Sequence, residues 1–289
     1  MRIGISELSV LSKLALAAAS LAACSQAADA AGQAGNGGTG AVSGNTGRSF
    51  NQCGVAAPLP KDTGQCTPVS APVLADFDDY AGSAASTYGY YVNAKPPAAN
   101  ALLGAILHIG DGSDANGGTS VISTEMVTGA GTSGYALKIS NSNALHWGGL
   151  LMFYFPSSGA NAACLNANAY QGIAFSIQGT SPTGKFGVNF GILDTMPKAD
   201  RGLCDSASSS DCKDATVQLA LPADPTAWTE IKLPWSAFTP GLGADLTCVP
   251  LTGQNIARLV IQPLMKYPPP NYMFEAGPYT IAVDNVRFF

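Results

Sequence analysis

Tyr90, Tyr91, the His146-Trp147 pair and Tyr154 stand out in a chain rich in glycine and small residues, while Asp194, Arg201, Gln262 and Tyr267 fall at strand-like ends or in loops. Aromatic rings that stack on the apolar face of a pyranose, ringed by amides, carboxylates and a guanidinium, are what an open glycan-binding cleft uses. Each residue also has a packing role open to it. Trp147 and Tyr154 suit the interior of a sheet, and consecutive Tyr90 and Tyr91 point to opposite faces of one strand, so at most one of them faces a cleft. Trp228 and Trp235 bracket a Trp-Thr-Glu-Ile-Lys-Leu-Pro-Trp run and are expected to pack.

Bond-breaking chemistry has less material. His108 and His146 are the two histidines, and neither has a neighbouring Asp or nucleophile in sequence, so both are expected to be structural. Gly129-Ala-Gly-Thr-Ser-Gly134 fits a dinucleotide fingerprint literally, but a strand pattern follows it where a helix is required. Asp111–Gly117 lacks the spacing of a calcium-binding helix-loop-helix. Glycoside hydrolysis needs two carboxyls about one bond, and only Glu125, Glu230 and Glu275 supply glutamates after the leader. With 14 Lys+Arg against 19 Asp+Glu and a net charge of −5, the chain has no basic surface for a phosphate backbone, and nucleic acid is not an expected partner.

The first 23 residues read as an export leader, with Arg2 and Lys13 ahead of a short apolar stretch that closes as Leu21-Ala-Ala-Cys24. This resembles a bacterial lipobox, which implies lipidation of Cys24 and attachment to the cell envelope by acyl chains alone. Ser25 in place of aspartate implies, by the same resemblance, outer-membrane sorting in a cell that has two membranes. Residues 24–52 are almost wholly small and polar and are expected to act as a flexible tether. Six cysteines then remain, an even number in an exported chain, so disulfides are expected. Proximity favours Cys53 with Cys66, closing a linker over 53–72, and Cys204 with Cys212, leaving Cys164 for Cys248; fifteen pairings are formally open. No Cys-x-x-Cys and no histidine near a cysteine offers zinc a site.

Residues 73–289 form short apolar runs punctuated by Gly, Pro, Ser, Asn and Asp, without sustained helical periodicity. Leu137/Ile139, Ile173/Phe175/Ile177, Val188/Phe190/Ile192, Val217/Leu219/Leu221, Ile231/Leu233, Leu259/Ile261 and Ile281/Val283 each place alternate side chains on one face and are the expected core. The apolar set resumes out of phase at Val286 and Phe288, which predicts a bulge at Asp284-Asn285. About ten strands suit an all-β, two-sheet sandwich of jelly-roll type, with a β-barrel as the competing architecture.

Val73-Leu-Ala-Asp-Phe-Asp-Asp79, Gly134-Tyr-Ala-Leu-Lys-Ile139, Trp147-Gly-Gly-Leu-Leu151, Tyr170-Gln-Gly-Ile-Ala-Phe175, Trp228-Thr-Glu-Ile-Lys-Leu233 and Val283-Asp-Asn-Val-Arg-Phe288 occur in this order. Together they resemble the galactose-binding-like jelly rolls of carbohydrate-binding modules, especially the family 11 type attached to bacterial glucanases, over residues 73–289. The resemblance implies non-catalytic binding of a β-glucan-like polysaccharide. It also implies a structural calcium ion tying the first strand to the last, with Asp76, Asp78, Asp79 and Asp284 at matching ends; turn capping is the other role open to these aspartates. A glycan-active hydrolase or lyase on the same sandwich, and an adhesive envelope protein with a protein partner, are the competing functions.

Overall fold

The structure, a computed structural model, describes residues 66–78, 90–91, 105–110, 122–144, 148–155, 164–198, 202–205, 212–243, 247–265 and 277–289. In chain order the strands are β1 (Thr67–Pro68), β2 (Val73–Ala75), β3 (Tyr90–Tyr91), β4 (Ala105–Gly110), β5 (Ile122–Thr128), β6 (Tyr135–Ala144), β7 (Gly149–Tyr154) and β8 (Leu165–Asn166). They continue with β9 (Gly172–Thr180), β10 (Lys185–Ile192), β11 (Ala215–Ala220), β12 (Thr229–Pro234), β13 (Gly241–Leu242), β14 (Cys248–Val249), β15 (Ile256–Pro263) and β16 (Gly277–Phe288).

Two sheets carry the molecule. The first runs β11-β10-β15-β7-β4-β3, with β8 meeting the end of β15 and β1 lying parallel to β8. The second runs β12-β9-β16-β6-β5, with β2 on the last residues of β16. The chain passes from one sheet to the other at β1 to β2, β2 to β3, β4 to β5, β6 to β7, β8 to β9, β9 to β10, β11 to β12 and β15 to β16, and returns from β12 to β15 by way of the separate β13–β14 pair. This alternation is a jelly-roll sandwich, and among the described residues no ladder joins the two sheets into a barrel.

The alternating pattern places the core as expected. Leu137, Ile139, Ile173, Phe175, Ile177, Val188, Phe190, Ile192, Leu259, Ile261, Ile281 and Val283 are buried together between the sheets, while Val217, Leu219 and Ile231 pack against them half-buried. Trp235 packs edge-on against Phe190 and near Phe288, and its indole N–H donates to the Tyr170 carbonyl at 2.8 Å, so it is a packing residue. The register of β16 against β9 slips between Asp284 and Arg287, with Asn285 at φ 51°, which is the bulge that the change of phase predicts.

The disulfides correct the expected pairing. Cys66 bonds Cys164 across 98 residues, and Cys204 bonds Cys212 as anticipated. Thr67 is in register with Leu165, so the β1–β8 ladder brings the preceding cysteines to a Cα separation of 4.7 Å. Cys66 is therefore not bonded to Cys53, nor Cys164 to Cys248. Cys248 is itself disulfide-bonded.

Candidate functional site

The outward sides of the two sheets differ in chemistry. On the second sheet Lys138 pairs with Glu125 at 2.5 Å, and Glu230 with Arg287 and, at 3.7 Å, with Lys232, as on an ordinary solvated surface. Hydrogen bonding from Arg287, more than the charges of Lys232 and Arg287, holds the Glu230 carboxyl below the usual range, which is wrong for a general acid at neutral pH. Glu125 and Glu230 lie on the two edge strands of a five-strand path, four inter-strand spacings or about 19 Å apart. Two carboxyls flanking one glycosidic bond stand within about 10 Å. These two cannot form such a pair, and Glu275 lies outside the described residues.

The first sheet turns a different face outward. Leu151 and Phe153 of β7, Ile261 and Leu259 of β15, and Val188 and Phe190 of β10 point into the core. Their neighbours Met152 and Tyr154, Arg258, Val260 and Gln262, and Gly187, Asn189 and Gly191 therefore share the opposite side, joined by Thr216 and Gln218 of β11. Met152, Arg258, Val260 and Gln262 are nevertheless buried, whereas Tyr154, Thr216 and Gln218 are half-buried and form a reachable rim.

Polar groups on this floor are tightly engaged. The Arg258 guanidinium lies across Gly191 to grip Asp214 on the far side of β10, donating from Nε at 3.1 Å and from Nη2 at 3.0 and 2.9 Å. A side chain on Gly191 would place its Cβ 2.7 Å from the Arg258 Cγ and Nε, so the glycine is what lets the guanidinium lie flat. Thr216 donates to Asn189 Oδ1 at 2.6 Å. Gln262, 2% exposed, lies in register with Gly187, and its Nε2 is buried without a hydrogen-bond partner among the described residues.

Tyr154 and Gln262, two of the residues singled out by type, thus share one face. Asp194 does not join them: it sits in the turn after β10 and accepts a hydrogen bond from Asn255 Nδ2 at 3.1 Å. Tyr90 and Tyr91 form β3, paired with Leu107 and Ile106. His146, Trp147, Arg201 and Tyr267 lie outside the described residues. Asn189, Asp214, Thr216 and Arg258 were missed by residue type; the available signal was a charged residue, Arg258, inside the apolar run Ile256–Gln262.

The expected calcium residues meet a turn. Asp78 Oδ1 accepts from the Gly134 and Tyr135 amides at 2.7 and 2.9 Å and from the Ser133 hydroxyl at 3.1 Å. Asp284 accepts from the Ala130 and Asn285 amides, each at 2.7 Å. Burial pushes the Asp284 carboxyl above its ordinary range, opposed by these N–H donors and reinforced by the Asp78 charge. Both aspartates therefore brace the Gly129–Gly134 turn, which leads into β6 and not into a helix. Among the described residues no three acidic, His or Cys side chains form a metal-holding group; Asp79 lies outside them. Asp76 Oδ1, however, is buried with no hydrogen-bond partner among the described residues, beside Phe77 in the left-handed region at φ 61°.

A separate groove of about 460 Å³ is lined by Trp235, Phe238, Pro240, Pro250 and Leu251 and contains none of the expected ligand residues.

No protein-family model matches the chain, and no curated protein matches it at a significant level. Among solved structures it is similar to a family 11 carbohydrate-binding module from Clostridium thermocellum in complex with a β-1,3-1,4-mixed-linked tetrasaccharide. That similarity has 16% identity and a TM-score of 0.37, covering 59% of this chain and 83% of the other. A family 30 carbohydrate-binding module of a cellulosomal cellulase from Clostridium thermocellum is 13% identical at a TM-score of 0.34, with coverage of 58% and 82%. The Endo-D glycoside hydrolase domain of Streptococcus pneumoniae R6 is 12% identical at a TM-score of 0.34, covering 66% of this chain and 23% of that one.

Proposed function

We propose that the chain binds a β-glucan-like polysaccharide, without cleaving it, on the outward face of the first sheet. The observation that carries this is the Gln262 amide: a buried donor lacking an acceptor among the described residues, on a floor rimmed by the half-buried Tyr154, Thr216 and Gln218. An unsatisfied buried donor costs the fold about 1–3 kcal/mol, and a sugar oxygen is an acceptor that would relieve it. Tyr154 supplies a ring for a pyranose face, and the hydroxyl and amides of β10 and β11 supply partners for its edge.

Affinity electrophoresis of the chain carrying Cys24→Ala, through gels containing mixed-linkage glucan, xylan, mannan or no polysaccharide, tests the proposal. Retardation by a glucan with no release of reducing ends is the expected result. Gln262→Leu should then lose roughly tenfold in affinity, about 1.4 kcal/mol, while leaving stability unchanged or improved. Equal mobility in every gel sinks the glycan reading.

We further propose that lipid on Cys24 holds this face at the envelope, tested by palmitate labelling that Cys24→Ala abolishes. Calcium at the first-strand corner is a proposal supported by the orphaned Asp76 Oδ1. If it binds, calcium at a hundred times its dissociation constant stabilises the fold by about 2.7 kcal/mol. EDTA should then lower Tm by roughly 5–10 °C; an unmoved Tm removes the ion.

A further inference from the structure

His108 faces the interior from β4, in register with core Leu151, and is 2% exposed. Its Nε2 lies 2.9 Å from the Tyr279 hydroxyl of β16 and its Nδ1 3.0 Å from the Thr124 hydroxyl of β5. Both partners belong to the second sheet. The Tyr279 ring stands edge-on to the imidazole, and Gly149 makes room for it, since a Cβ there would lie 2.1 Å from the phenol oxygen. One side chain thus ties the β3–β4 margin of the first sheet to an edge strand and a central strand of the second.

Among the described residues no carboxylate is placed to balance a charge at this point. Neither β4 nor β7 contains a charged residue apart from His108 itself. On β5, Glu125 sits on the outward side against Lys138. On β6, Lys138 likewise faces out, and the residue in register with Tyr279 is the neutral Asn141. On β16, Asp284 is five residues from Tyr279, about 17 Å along the strand, and is engaged with Ala130. A neutral imidazole matches the two hydroxyls as one donor and one acceptor, whereas an imidazolium here is an uncompensated buried cation.

We propose that His108 is an acid-sensitive clasp, which in its neutral form holds β4 against β5 and β16 and which on protonation releases that edge of the sandwich. β4 borders β7, which carries Tyr154, so the clasp governs one flank of the proposed binding face; the clasp itself does not depend on what that face binds.

Burial lowers the His108 pKa from 6.5 to about 4, with a backbone hydrogen bond to Ser123 acting weakly the other way. A base whose folded pKa is depressed gives stability that is complete above the unfolded value and is lost as pH falls toward the folded one. The window is therefore pH 6.5 down to 4, and by pH 4 the opening constant should stand roughly 160-fold above its value at neutral pH.

Amide hydrogen exchange on the whole chain, corrected for intrinsic pH dependence and read at β4 and β5 between pH 7.5 and 4, measures that opening. Faster opening of these two strands at acid pH, absent in His108→Gln, supports the clasp. Identical profiles in both proteins, or opening spread evenly over every strand, overturn it. Imidazole NMR of the unaltered protein gives an answer that needs no variant. A His108 ring still neutral at pH 5 agrees with the clasp, and titration with a midpoint near 6.5 refutes it.

Discussion

Asp214→Ala is expected to destabilise the fold by about 3–5 kcal/mol, among the largest losses available to a single substitution outside the apolar core. Its side chain is 13% exposed and that of Arg258 5%, so the pair is removed from water, and deleting the carboxylate strands a buried guanidinium beneath β10 and β11. The double variant Asp214→Ala/Arg258→Met should recover most of the loss, because a buried ion pair replaced as a unit by apolar groups is often neutral or better. Urea unfolding with disulfides intact measures both, and a cost below about 1 kcal/mol for Asp214→Ala would place the pair among ordinary surface ion pairs. Ligand binding provides a second readout: if the face holds a glycan, the double variant folds but leaves Tyr154 without the charged platform beside it, in register across β15.

The same pair shows where sequence was readable and where it was not. Period-two alternation exposes the inward residues of β9, β10 and β16, and a break in that period exposes the bulge at Asp284-Asn285. β7 and β15 are buried on both sides, so their alternation is erased: Leu150, Met152 and Val260 are as apolar as the core residues between them. Arg258 appears in sequence only as a charge in an apolar run, and Asp214 only as one aspartate among several in a polar stretch. Their partnership needs β11 folded back on β10 and a glycine at 191 under the guanidinium. Residue type found Tyr154 and Gln262 but also nominated Asp194, because a carboxylate at a strand end looks the same whether it meets a ligand or fastens Asn255.

Replacing both Cys66 and Cys164 by serine should cost about 4–5 kcal/mol. The sequence separation is 98, and closing a loop of that order in the unfolded chain removes about 4.7 kcal/mol of chain entropy. Proximity along the chain is a poor guide to such a bond because loop closure grows only logarithmically with length, so a distant partner brought close by folding displaces a near one at small extra cost. The bond also has a local task. Cys164, Leu193, Met196 and Ala257 form a small second cluster, with Cys66 packed on it, away from the main core. β1 and β8 pair over only two residues each, too short a ladder to hold that corner unaided. The double serine variant should therefore show early loss of exchange protection at Thr67, Leu165 and Ala167 before the central strands open. Unfolding midpoints in urea, compared with a Cys204→Ser/Cys212→Ser variant whose sequence separation is only 8, provide the decisive contrast. The long bridge should matter more, and equal losses would show that strain or residual structure, not loop entropy, sets the contribution of both.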